Sequence, residues 1–175
     1  ELSLKFDHLM TEYREHGRYC PFLRVDGRVK SVSSILEKAQ KKKIPFEMIE
    51  EEMEDIAGIR IICQFVEDIQ KVVEIIRRRT DMEVIAERDY INHMKDSGYR
   101  SYHVIVLYEV QTLEGSRKIK VEIQIRTIAM DFWASLEHKI QYKFTGDVPS
   151  GIAEELLECA KMVSNLDEKM LLLNN

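Results

Sequence analysis

From Ile119 to Arg126 apolar and polar residues alternate without a break, Ile119, Val121, Ile123 and Ile125 on one side and Lys120, Glu122, Gln124 and Arg126 on the other. This is the period-two pattern of a strand with one buried face. At Thr127 the period changes. Thr127 can cap a helix whose apolar stripe is Ala129, Phe132, Trp133, Leu136 and Ile140, and whose ionisable groups are Asp131, Glu137, His138, Lys139 and Lys143. A strand that runs straight into such a helix must bury one face of each, which points to a sheet covered by helices. It also sets Glu122 and Arg126 on one strand face, either as plain solvated surface or as part of a site.

The rest of the chain fits the same architecture. Residues from Leu2 to about Tyr13 read as a helix, and a linker through Gly17, Pro21 and Gly27 leads to a second helix from about Ser31 to Lys43. Strand-like runs follow at Ile59–Phe65, Glu83–Glu87, Tyr102–Val110 and Ile119–Arg126, with a helix from about Asp68 to Arg79 between the first two. The segment from His103 to Tyr108 is apolar on both faces and is the candidate central strand, while Glu114-Gly115 marks a hairpin. From about Ser150 a last helix spaces Ile152, Leu156, Cys159, Val163, Leu166, Met170 and Leu173 as a heptad seam, which suits either a partner helix or the domain's own helices. The expected fold class is α+β, a mixed β-sheet flanked by helices with an extended C-terminal helix.

With 175 residues the chain is expected to form one domain. Its net charge of -5 argues against indiscriminate nucleic-acid binding, so no DNA partner is expected. Yet residues 18–43 carry Arg18, Arg24, Arg28, Lys30, Lys38, Lys41, Lys42 and Lys43 against only Asp26 and Glu37, a basic stripe that suggests a localised anion site. Cys20, Cys63 and Cys159 are few and widely spaced, which supports neither a disulfide framework nor a zinc cluster and suits a reducing cytoplasm. No apolar run approaches a membrane span, so no membrane partner is expected.

Three constellations have chemical potential. Lys30, Ser34 and Lys38 fall four apart on one face near a helix N-terminus, an arrangement that suits phosphate and equally a solvated face. Asp55 stands just ahead of the strand carrying Gly58 and Arg60. With Glu122 on another strand it offers two carboxylates, the minimum for holding magnesium on a polyphosphate. In Lys95-Asp-Ser-Gly-Tyr-Arg-Ser-Tyr-His103 a flexible loop brings Tyr99, Lys95 and Arg100 ahead of His103, suited to stacking on a base and gripping phosphate, although aromatics at a strand entry also serve simple packing.

Arg24 through Lys38, Asp55-Ile-Ala-Gly-Ile-Arg60, Gly98-Tyr-Arg-Ser-Tyr-His103 and the strand-helix segment 121–143 together resemble the synthetase domain of RelA/SpoT-type alarmone synthetases. The likeness spans roughly residues 18–145 in the family's motif order, and the short flanks are similar to the stand-alone small synthetases. The resemblance implies a nucleotidyltransferase-like fold over residues 1–175, with a catalytic core at 18–145 and an oligomerisation helix at 150–174. It implies transfer of pyrophosphate from ATP to the 3′-hydroxyl of GDP or GTP. By motif position Asp55 and Glu122 would be the magnesium-site carboxylates, with Glu122 also the general base. Arg28 and Arg60 would flank adenine, and Lys30, Ser34, Lys38 and His103 would surround the ATP phosphates. Tyr99 would stack on guanine, and Lys95, Arg100, Asp131, Lys139 and Lys143 would line the acceptor side. A cytoplasmic homo-oligomer, a tetramer by family resemblance, is implied as well.

Two departures mark the chain. Arg88-Asp-Tyr-Ile91 has arginine where lysine is common, and Asp131 stands where some relatives have asparagine, which bears on the choice between GDP and GTP. No His-Asp dipeptide occurs, so product hydrolysis is not expected. Two other functions share the same features: a different nucleotidyltransferase that moves a nucleoside monophosphate, and a non-catalytic module that binds nucleotide or RNA. Asp55 and Glu122 together count against the last, since binding alone needs only the cations.

Overall fold

The computed structural model describes residues 1–144 and 147–174. Thr145, the last residue of the expected core, and Asn175 lie outside the described residues. In chain order the elements are α1 (Leu2–Glu15), β1 (Arg24–Val29), α2 (Val32–Lys42), a 3-10 turn (Phe46–Met48) running into α3 (Ile49–Glu52), β2 (Ala57–Cys63), α4 (Val66–Arg77), β3 (Met82–Asp89), β4 (Tyr102–Thr112), β5 (Gly115–Thr127), α5 (Ile128–Lys143) and α6 (Ser150–Asn174). The strands form one mixed sheet in the order β1-β2-β5-β4-β3, with β2 parallel to β5 and the other neighbours antiparallel. The expected α+β class is what is found.

The alternation read from the sequence divides the sheet into two faces. Val25, Ile59, Ile61, Val121, Ile123, Ile125, Val104 and Val106 pack with Leu2 and Phe6 of α1 and with Ile69, Val72, Val73 and Ile76 of α4. Burial of each large side chain there contributes about 1.5–3 kcal/mol before entropy is counted. Phe6 meets Phe22 edge-on at 6.2 Å. A smaller cluster of Ala39, Ile49 and Met53 fastens α2 to α3, and Trp133, Ala134 and Ala160 fasten α5 to α6. Among the described residues no helix is long and apolar enough to cross a membrane.

The structure corrects the sequence at three points. Residues 24–29, expected as linker, form edge strand β1. Asp26 and Gly27 weaken its strand pattern, and only Val25 is buried. Gly27 lies close under α1, where a Cβ would stand 3.3 Å from Ser3 Oγ and 3.4 Å from Ile59 Cδ1. Second, the middle strand is β5, not the strand of His103 to Tyr108, which lies between β5 and edge strand β3. β5 is polar on one face because that face is the floor of a cavity. Third, the heptad seam of α6 is split. Leu156 and Val163 pack on the domain beside Ala160, whereas Cys159, Leu166, Met170 and Leu173 remain exposed.

Candidate active site

Strand register collects the polar side chains onto one face. Arg28 faces Gly58 and Asp26 faces Arg60 across β1 and β2. Gly58 lies beside Glu122 and Arg60 beside Gln124 across β2 and β5, and His103 of β4 faces Gln124. Residues directly paired across a sheet share a face, so Arg28, Arg60, Glu122, Gln124 and His103 make one polar floor. Arg88 of β3 continues the row opposite His103 and pairs with Glu54 at 2.8 Å.

Two adjoining cavities rest on this floor. The first, of about 230 Å³, is lined by Arg28, Asp55, Arg60, Glu122 and Gln124 among others. The second, of about 510 Å³, is lined by Arg28, Lys30, Ser34, Lys38 and Lys41 among others, with Glu37 its one acid. Arg28 belongs to both. Ser31 caps α2 by accepting the Ser34 amide at 3.3 Å, and its hydroxyl donates to Ser34 Oγ at 2.9 Å. The first turn of α2 thus lies beside the cationic cavity, where helix-end amides favour anions.

The two expected carboxylates do share a cavity. Asp55 Oδ2 accepts from Lys30 at 2.7 Å and from Lys38 at 2.5 Å. Burial pushes the Asp55 carboxyl up, and these two lysines outweigh it and hold the group below its ordinary range. Its other oxygen, Oδ1, is buried with no hydrogen-bond partner. Such an orphaned acceptor on a charged group is costly unless a cation or donor meets it. The unpartnered Asp55 Oδ1 and the Glu122 carboxylate in the same cavity are oxygen donors of the kind a divalent cation on a nucleotide takes, with phosphates and water as its other ligands.

Glu122 is held by a closed ring of hydrogen bonds. His103 Nδ1 lies 3.1 Å from Oε1, and Gln124 Nε2 donates to Oε2 at 2.9 Å. Arg126 Nη2 donates to Gln124 Oε1 at 2.9 Å and to the Tyr99 hydroxyl at 2.6 Å. That hydroxyl lies 2.8 Å from His103 Nε2. A neutral imidazole that donates from Nδ1 to the carboxylate accepts at Nε2 from Tyr99. Two donor chains therefore leave Arg126 and converge on Glu122. Burial and the nearby Asp55 charge push the Glu122 carboxyl up, but the bonds from His103 and Gln124 prevail and leave it lowered. It is ionised, largely buried and fixed in direction.

Asp131 binds three arginines, Arg24 at 3.2 Å and Arg60 and Arg126 at 3.3 Å each. Burial and the Arg126 and Arg28 charges push the Arg60 guanidinium down, with Asp131 opposing them. This crowding of cations favours an incoming anion. Tyr99 is half-buried, with the Lys95 ammonium 5.0 Å and the Arg126 guanidinium 5.2 Å from its ring centre. Tyr90 and His103 meet it edge-on.

The structure thus brings together Arg28, Lys30, Ser34, Lys38 and Asp55, and in the adjoining group Arg60, Glu122, His103, Tyr99, Lys95 and Asp131. His103, expected with the ATP phosphates, stands instead between Glu122 and Tyr99. Arg100 is half-buried with Nη1 unpaired. Lys139 and Lys143 are exposed along α5 and are not joined to the rest. Gln124, Arg126 and Tyr90 were missed as site residues. The strand pattern already put Gln124 and Arg126 on the face of Glu122, and that was the available signal.

Residues 27–147 match the model of the region found in RelA / SpoT proteins. The chain is 49% identical over 170 residues to GTP pyrophosphokinase YjbM of Bacillus subtilis, covering 97% of this chain and 80% of that protein. It superimposes with a TM-score of 0.95 on small alarmone synthetase 1 from Bacillus subtilis bound to its product pppGpp, at 48% identity, covering 99% of this chain and 89% of the other. For the same synthetase bound to AMPCPP the TM-score is 0.86 at 43% identity, with 99% and 87% covered.

Proposed function

The chain belongs to the RelA/SpoT family, and from that premise we propose that it is an alarmone synthetase, which transfers pyrophosphate from ATP to the 3′-hydroxyl of GDP or GTP and releases AMP. The observation that carries this function is the pairing of Asp55 and Glu122 in one cavity, between a cationic cavity on one side and the Tyr99 cluster on the other. A non-catalytic module that binds nucleotide or RNA has no use for that pair.

ATP lies over Arg28 and Arg60, whose guanidiniums stack on adenine, with its phosphates among Lys30, Ser34 and Lys38. There the two lysines exchange the Asp55 carboxylate for phosphate oxygens. Asp55, through its free Oδ1, and Glu122 are the residues that would hold magnesium, which when bound neutralises charge on the phosphates. Guanine stacks on Tyr99, displacing the Lys95 ammonium toward the acceptor's own phosphates, with Arg100 and Asp131 beside it. Lys139 and Lys143 reach the acceptor phosphates from α5. Glu122 accepts the proton of the ribose 3′-hydroxyl as that oxygen bonds to the β-phosphorus. The bond from the β-phosphorus to the α,β-bridging oxygen breaks, and AMP leaves with that oxygen. His103 and Gln124 keep the Glu122 carboxylate aimed at the hydroxyl.

Residues 1–175 act as one synthetase domain, with its core at 18–145 and α6 as the oligomerisation helix of a cytoplasmic homotetramer. The exposed row of Met162, Leu166, Met170 and Leu173 supports that assembly. Light scattering that gives a monomer mass would remove it.

Incubation with ATP, magnesium and GDP yields AMP in step with a 3′-pyrophosphorylated guanosine. Release of free pyrophosphate in its place would mark a nucleotidyltransferase of another kind. Tyr99→Ala raises the acceptor KM by an amount equivalent to about 1–3 kcal/mol for a lost base stack, with little change for ATP. An unchanged acceptor KM in steady-state kinetics rejects the stacking role.

A further inference from the structure

We propose that α6 is the back wall of the acceptor site, and that Ala160 and Gly98 form a positioning pair which sets where Tyr99 stands. The proposal rests on Tyr99 being the platform for the acceptor base.

Gly98 is buried at the tip of a tight turn, with φ at +94°. Its amide donates to the Lys95 carbonyl at 2.8 Å, and the Lys95 amide donates to the Tyr99 carbonyl at 3.2 Å. The turn presses against α6 so closely that a Cβ on Gly98 would lie 2.5 Å from Ala160 Cβ, with Leu157 Cδ1 and Trp133 Cζ2 each at 3.4 Å. No side chain fits between loop and helix. Tyr99 itself packs with Leu156 and Val163 against the Trp133, Ala134 and Ala160 cluster.

Two polar ties hold the same face of α6 to the site. The Trp133 indole donates to the Leu156 carbonyl at 2.9 Å. The Thr127 hydroxyl donates to Asp167 at 2.9 Å while accepting the Met130 amide at 3.1 Å, so the residue that ends β5 and caps α5 is itself anchored on α6. Asp167 is only 6% exposed. Positions 156, 160, 163 and 167 repeat at helical spacing: Leu156 meets the indole, Ala160 the Gly98 turn and Asp167 Thr127, while Val163 packs on the same cluster as Tyr99. None of them touches the Asp55 side of the floor among the contacts seen. Displacing α6 therefore acts first on the acceptor platform and not on Lys30, Ser34, Lys38 and Asp55, which hold the triphosphate.

The test is Ala160→Leu, which thickens the wall without changing any residue of the loop. Its acceptor KM rises about tenfold, within the range for a weakened base stack, while the ATP KM stays within about twofold. In a Tyr99→Ala background the same substitution adds nothing to the acceptor KM, because both act through one ring. An unchanged acceptor KM in a folded Ala160→Leu protein, an equal rise for both nucleotides, or full additivity with Tyr99→Ala overturns the proposal. If Ala160→Leu does not fold, Leu156→Ala thins the same wall and is held to the same outcomes. Failure of the wild type to form AMP from ATP and GDP would instead count against the proposed function. A working wild type with an indifferent Ala160→Leu variant counts against the wall alone.

Discussion

Glu122→Gln lowers turnover by about 10²- to 10⁴-fold, the contribution expected of a positioned general base, while the ATP KM stays within a few-fold. The amide keeps the size of the carboxylate and can still accept from His103 Nδ1, which stands 3.1 Å from Oε1. It cannot take the proton of the 3′-hydroxyl. Its NH₂ would also meet Gln124 Nε2, now 2.9 Å from Oε2, donor against donor, so Gln124 must turn over or part from it. Lys30, Ser34 and Lys38, which hold the phosphates, line the adjoining cavity, and neither they nor Arg28 and Arg60, which flank adenine, are hydrogen-bonded to Glu122. A kcat loss without a matching KM change is the signature of a group used in the chemical step. Near-normal turnover would remove Glu122 from the mechanism.

Asp55→Asn reduces kcat/KM by about 10²-fold or more and raises the magnesium concentration needed for half-maximal rate. One carboxylate oxygen is shared by Lys30 and Lys38, and the other is buried with no partner. The amide keeps one acceptor for the lysines but no longer balances their charge, and it offers magnesium a much poorer ligand. Both effects act on the nucleotide-bound metal, so the magnesium titration moves along with the rate. A variant with reduced activity and an unchanged magnesium midpoint would mean that Asp55 serves only to organise the two lysines.

The parts of this protein that were legible in its sequence are those whose neighbours in space are also near in register. Glu122, Gln124 and Arg126 share a face because strand geometry requires it, and Thr127 ends the strand because its side chain caps α5. Asp55 and Glu122 were joined by motif, and the parallel pairing of β2 with β5 supplies the physical link. Other features depended on long-range approach. The meeting of Tyr99 with Arg126 requires the loop before β4 to fold back over the end of β5, and no periodicity records that. The rule that an all-apolar strand lies in the middle of a sheet failed for β4, because the middle strand here gives one face to a polar site. The heptad pattern of α6 could not separate the face that meets Gly98 from the face left exposed, since both carry apolar residues at nearly the same spacing.

The central claim is that Asp55 and Glu122 serve a transfer of pyrophosphate rather than of a nucleotide. ATP labelled in turn at its α- and β-phosphorus, incubated with GDP and magnesium, tests this most directly. The β label is expected in the guanosine product, and the α label entirely in AMP. Appearance of the α label in the guanosine product, with the β label in free pyrophosphate, would contradict it.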